Sequence, residues 1–171
     1  MNKSVKTIAF LSVTALIFLI QSCLSTDEPE VRTPETEIEE LAQILQKLED
    51  KGYNIDTTAS GLYYIIHTQG SGAFPQEEDS CYVEYATYFI DGTLLDASAM
   101  HYTDAIWKMK YQKDSTITGF YESLGLMNKG TEADFIIPSK LAYGPYGYGV
   151  IPAYTPLLFS IKLHDIIPIT E

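Results

Sequence analysis

Hydrophobic positions fall into three successive patterns along this 171-residue chain. Ile8 to Ile20 is a mostly apolar run. Ile38, Leu41, Ile44, Leu45 and Leu48 then recur at three- and four-residue intervals, which places them on one face of a helix. From Leu62 onward the apolar residues come in short branched and aromatic runs divided by turn residues, the pattern of strands.

The helix is expected to begin near Thr33 to Thr36. Pro34 suits a first turn, Thr36-Glu37-Ile38-Glu39 fits a capping box, and Gly52 supplies the stop. Its apolar stripe needs a partner and is too short for an autonomous coiled coil. Packing on the chain's own domain is the favoured expectation, and pairing with a second copy is the alternative. In the β region, strands are expected over Leu62–His67, Ser80–Ile90, Thr93–Leu95, Ile106–Tyr111, Glu132–Ile137 and Leu157–Ile167. Asp91-Gly92 marks a hairpin, Gln69–Glu78 a turn-rich loop and Asp96–Ala105 irregular chain. Ile117–Met127 is the one helix-like run among the strands. Antiparallel strands around one short helix predict an α+β domain.

Apolar content of 46% suits a chain that builds a core, and the formal net charge is −12 with Arg32 the only arginine. Nucleic-acid binding, which needs clustered Lys and Arg, is therefore disfavoured. Lys3 and Lys6 precede the first apolar run, which is short for a membrane span and ends Ile20-Gln21-Ser22-Cys23. A small residue before cysteine after such a run resembles a bacterial lipobox, and the resemblance implies a diacylated Cys23 at the mature N-terminus. An ordinary secretory signal with a chance cysteine is the alternative. Loss of the two leader lysines would take the net charge from −12 to −14. The acidic Asp27-Glu28-Pro29-Glu30 that follows is similar to surface-export signals of Bacteroidetes lipoproteins, and a solvated tether explains it as well. The expected organisation is a signal peptide over 1–22, a tether over 23–33, a helix over 34–52 and a folded domain over 53–171. Cys81 is the only other cysteine and is expected to act as a small core hydrophobe.

Candidate chemistry concentrates between Ala142 and Phe159. Tyr143 precedes a glycine turn, Val150-Ile151 precedes Pro152, and Phe159 opens the last strand. Together these could line an apolar pocket with no strong nucleophile beside it. His67, His101 and His164 are scattered without metal-ligand spacing, and no P-loop or Gly-x-Ser-x-Gly elbow occurs.

Ala142-Tyr143-Gly144, Gly149-Val150-Ile151-Pro152 and Leu157-Leu158-Phe159 resemble the C-terminal half of FKBP-type peptidyl-prolyl isomerases. Val83-Glu84-Tyr85, Asp91-Gly92, Leu95-Asp96-Ala97-Ser98 and Ile117-Thr118-Gly119-Phe120 with Gly130 extend the resemblance upstream in the family's order, covering roughly Leu62 to Ile167. It implies a twisted antiparallel sheet wrapped on a short helix. It also implies a pocket floored by Phe120, with walls of Tyr85, Leu95, Trp107, Val150, Ile151 and Phe159, and Thr116 beside them. Asp96 would form the polar edge, bonded to Tyr85 or to substrate, while the Ile117 N–H and the Tyr143 hydroxyl would hold substrate carbonyls.

Departures from the family pattern are Leu95 for phenylalanine, Phe120 for tryptophan, Thr116 for valine, and no arginine after Ser98 to pair with Asp96. The Tyr143–Gly149 loop is one residue shorter than usual; Tyr146, Tyr148 and Tyr154 read either as a recognition rim or as packing. The implied activity is cofactor-free isomerisation of proline-containing segments by a monomer held to a membrane of the bacterial cell envelope through Cys23. A non-catalytic module that grips a proline-containing or apolar segment is the alternative, and a dimeric scaffold using the Ile38–Leu48 helix is a third.

Overall fold

Strict alternation makes the last strand the spine of the molecule. Leu157, Phe159, Ile161 and Leu163 are buried on one face, while Leu158, Ser160, Lys162 and His164 face the other. The computed structural model describes residues 31–169, and the chain from Arg32 onward forms one unit. In chain order the elements are α1 (Pro34–Asp50), β1 (Asp56–Thr57), β2 (Tyr63–Thr68), β3 (Ser80–Phe89), β4 (Leu94–Ala97), α2 (Ser98–His101), β5 (Trp107–Lys110), α3 (Thr118–Gly125), β6 (Glu132–Ile137) and β7 (Leu157–Ile167). A 3-10 turn, Ser139–Leu141, follows β6.

All pairings are antiparallel, in the order β1-β2-β6-β7-β3-β4. The free side of β3 is shared: β5 pairs with Ser80–Val83 and β4 with Ala86–Tyr88. The inner face of the sheet carries Val83, Phe135, Ile137, Leu157 and Leu163, and closes on Phe120 and Leu124 of α3. This is the expected α+β arrangement of an antiparallel sheet wrapped on one short helix. Cys81 is fully buried, and burial pushes its thiol up to about 11.

α3 lies close against β6 because residue 119 has no side chain. A Cβ there would stand 2.3 Å from Ile137 Cγ2. Ser123 Oγ donates to the Gly119 carbonyl at 2.7 Å, so the hydroxyl is satisfied inside the contact.

α1 packs on the outer face of the chain's own sheet. Ile44 and Leu48 face Ile65, Ile136 and Leu158 across a cavity of about 70 Å³. Two details differ from the sequence expectation. The cap is Thr33, whose Oγ1 accepts from the Thr36 N–H at 3.3 Å, rather than a box starting at Thr36. Pro34 has φ pre-set for a helix and no N–H to satisfy, so the helix starts there. The inward face also begins with Glu37, at 8% exposed, whereas Ile38 is 65% exposed. Gly52 and Tyr53 close the other end by donating to the Glu49 and Leu48 carbonyls, a Schellman turn. The Asp96–Ala105 stretch is not irregular throughout: it holds the end of β4 and the short helix α2. The leader, Cys23 and most of the tether lie outside the described residues.

Gly119→Ala is expected to lower unfolding free energy by about 1–3 kcal/mol, the range for forcing atoms into a filled contact. Urea titration checks this, and wild-type stability would show that α3 moves off β6 without cost.

Candidate functional site

Where β3 and β7 run past the start of α3, the inner face is left unfilled. A cavity of about 480 Å³ opens there. Its lining includes Tyr85, Leu95, Asp96, Trp107, Thr116, Ile117, Phe120, Tyr143, Val150, Ile151 and Phe159. Every residue picked from the sequence for the pocket is thus at this one place. The sequence reading omitted Thr87, Gly149 and Leu157, which also line it. Thr87 and Leu157 follow from strand alternation, since each lies two residues from a chosen neighbour, Tyr85 or Phe159.

The floor is aromatic. Phe120, projected inward by α3 next to Gly119, is 3% exposed. Its ring lies 5.8 Å from Trp107, 6.0 Å from Tyr85 and 5.6 Å from Phe159, with the Tyr85 contact edge-on. Such edge and tilted contacts are the favoured geometries for aromatic pairs and fix the shape of the floor. Val150 is 81% exposed, so it stands at the mouth rather than in the wall.

One polar cluster borders this floor. The Tyr85 hydroxyl donates to Asp96 Oδ2 at 2.8 Å, and His101 Nε2 lies 2.6 Å from Asp96 Oδ1. An ionised carboxylate only accepts, so Nε2 is the donor. Asp96 therefore has a basic partner, contrary to the expectation from the missing arginine. The imidazole stands five residues on, at the end of α2, which turns the chain back toward β4. Burial raises the Asp96 carboxyl, but the hydrogen bonds from His101 and Tyr85 outweigh it and leave the group below its ordinary value. Burial, then the bond to Asp96, pushes the Tyr85 phenol well above its usual range, so it stays a neutral donor. Burial also raises the Tyr143 phenol.

Two donors border the cavity without a protein acceptor among the described residues: the Ile117 N–H, at the N-cap of α3, and the Tyr143 hydroxyl. Tyr148, 71% exposed, stacks on Tyr143 with centroids 5.4 Å apart, so it belongs to the cavity's edge. Tyr146 is 93% exposed and stands clear of it.

The outer face holds a second groove, of about 470 Å³. Its polar groups are already paired: His67 and Ser160 bond Asp134, and Lys162 bonds Glu132. Among the described residues no cluster of His, Cys, Asp and Glu could hold a metal ion.

Residues 71–164 match the FKBP-type peptidyl-prolyl cis-trans isomerase family. The chain is 35% identical over 118 residues to the FKBP-type 22 kDa peptidyl-prolyl cis-trans isomerase of Escherichia coli, covering 68% of this chain and 55% of that protein. It is 36% identical over 113 residues to FkpA of Aeromonas hydrophila, covering 66% of this chain and 41% of that one. The chain thus spans roughly half the length of these relatives. Among solved structures, a peptidyl-prolyl cis-trans isomerase from Pseudomonas syringae superposes with a TM-score of 0.66 at 27% identity, covering 80% of this chain and 98% of that one. FkpA from Escherichia coli gives 0.65 at 28%, covering 78% and 62%. The chain belongs to the FKBP-type peptidyl-prolyl cis-trans isomerase family.

A carboxyl depressed in the folded state contributes stability above its unfolded value and loses it as pH falls through its folded value. The stability gap between wild type and Asp96→Asn is therefore expected to be full at about pH 5 and to shrink toward about pH 3, as the unfolded carboxyl takes up its proton near 3.9. Urea unfolding at both values checks this, and a gap that grows on acidification would contradict the assigned direction.

Proposed function

We propose that this member of the family is an active peptidyl-prolyl cis-trans isomerase acting on proline-containing segments of exported or envelope proteins. The observation that carries the reading is the open cavity, with Phe120 buried in its aromatic floor and two donors in its lining, the Ile117 N–H and the Tyr143 hydroxyl, that have no protein acceptor among the described residues. Rotation about the X–Pro bond faces a barrier of about 18–20 kcal/mol because amide resonance must be broken. The twisted transition state loses charge separation, so water solvates it less well than the planar ground state. An apolar aromatic floor at Phe120, Trp107 and Phe159 therefore favours the twisted form. The Ile117 N–H and the Tyr143 hydroxyl fix the flanking carbonyls, and the ionised Asp96 receives the Tyr85 hydroxyl at the cavity's edge. The rate gain is differential binding of the transition state. No covalent bond forms or breaks, so the reading calls for no cofactor.

A pocket filled by the substituted side chains would have supported the gripping-module alternative. Leu95 and Phe120 instead leave about 480 Å³ open, with Asp96, Phe120 and Tyr143 converging on it, which supports the catalytic reading. The packing of α1 on its own sheet favours a monomer over the scaffold reading.

The proposed location is the cell envelope, through a diacylated Cys23. The support is the Ser22-Cys23 pair behind the apolar run, and two acyl chains are what stable anchoring needs. Cys23→Ser is expected to move the protein from the membrane to the soluble fraction and to remove the acyl mass; membrane retention without that mass would end the lipid-anchor reading.

Exchange spectroscopy on a Leu-Pro or Phe-Pro peptide, with the chain from Ser25 in catalytic amounts, tests the activity. Phe120→Ala is expected to lower kcat/KM by about tenfold or more, equivalent to about 1.4 kcal/mol of transition-state stabilisation. Asp96→Ala is expected to lower it as well. Unchanged rates in both variants, with wild-type circular dichroism, would remove the catalytic assignment of this cavity.

A further inference from the structure

We infer that the first turn of α1 clamps the loop carrying Tyr143 and Ile151, and that Glu37 and Arg32 are positioning residues for the cavity. The link to catalysis rests on the isomerase reading; the clamp itself stands on geometry.

Glu37 is a carboxylate turned into the protein rather than toward water. Both of its oxygens are used: one accepts from the Ser139 N–H and the other from Ser139 Oγ, each at 2.5 Å. A buried charge is tolerated only when it is bonded in this way, and bonds to a charged acceptor are the strong ones. Ser139 passes the restraint on. Its carbonyl accepts from the N–H groups of Ala142 and Gly144, both at 2.8 Å, which flank Tyr143. The first leg of the loop is therefore fixed to α1 within two hydrogen bonds of the tyrosine.

Arg32 holds the second leg. Its guanidinium donates to the carbonyls of Ala153 at 3.2 Å and Tyr154 at 3.1 Å, while Glu40, in the second turn of α1, grips the same group with both oxygens. Tyr154 has φ +51°, a left-handed conformation that costs a tyrosine about 1–2 kcal/mol and needs outside support. Its N–H donates back to the Gly144 carbonyl at 2.9 Å, tying the two legs together. Between them the tip is closed by the mutual bonds of Tyr148 and Ile151. Gly147, at φ +66°, passes so near that a Cβ would stand 2.2 Å from the Ile151 carbonyl oxygen.

α1 thus divides by task. Ile44 and Leu48, in its later turns, cover the sheet, while Glu37 holds the backbone and hydroxyl of Ser139 and the preceding Arg32 joins Glu40 to the loop carbonyls. If Glu37 and Arg32 merely helped to dock the helix, losing them would be equivalent to losing Ile44.

The test compares Glu37→Ala, Arg32→Ala and Glu37→Gln with Ile44→Ala in the full chain in detergent, at a temperature where all are folded. Deuterium exchange over residues 140–148 and kcat/KM on a Leu-Pro peptide are the readouts. Glu37→Ala and Arg32→Ala are expected to speed loop exchange and to lower kcat/KM, each on the order of tenfold, as a small displacement of a positioning group does. Glu37→Gln, which keeps an acceptor for the Ser139 N–H, is expected to recover part of both. Ile44→Ala is expected to lower the melting temperature while leaving loop exchange and kcat/KM at wild-type values. Wild-type loop exchange in Glu37→Ala and Arg32→Ala, or equal acceleration in Ile44→Ala, overturns the clamp. A wild-type chain that does not isomerise would sink the isomerase reading alone, and loop exchange would still decide the clamp.

Discussion

The distance between α3 and β6 sets the floor of the cavity. At 2.3 Å from Ile137 Cγ2 there is no room for a Cβ, so only a glycine lets the helix settle on the strand. Phe120 follows it in sequence and becomes the floor; Ile117 precedes the same turn and leaves its N–H at the mouth. One steric constraint therefore sets the depth of the pocket and the place of a donor together. The long β3–β7 pairing supplies the rest of the frame, bringing Tyr85 and Phe159 to the same side of the sheet.

Two carboxylates carry the polar side of the design, and neither is left to water alone. Asp96 is held by Tyr85 and His101, Glu37 by the backbone and hydroxyl of Ser139. Each joins an element near the cavity to one that the sheet alone would not fix, α2 in one case and α1 in the other. A site that acts through shape needs such restraints more than it needs reactive groups, because its selectivity for a twisted peptide bond is no finer than the rigidity of its walls.

How much was legible in the sequence depends on whether a signal was local. β6 and β7 match their expected limits because Pro138 ends the first, Pro156 precedes the second, and burial alternates along β7 from Leu157 to His164. The cavity residues were legible as an ordered series of short motifs, and the fold brings them to one place. His101 was missed because its link to Asp96 depends on a four-residue helix with no propensity signal of its own. The inward turn of Glu37 was missed for a related reason: periodicity favours Ile38 for the buried face, and only the distant Ser139 gives the acid its place. The two-residue β1 is too short to leave any pattern.

The burial of Cys81 bears on where this chain can fold. Among the described residues it is the one cysteine, it has no solvent exposure, and its thiol is held far from the thiolate that attacks disulfides. The sheet closes without any sulfur–sulfur bond. No oxidant is required to finish the sheet, and once it has closed, the thiol within it is out of reach of glutathione or a neighbouring protein.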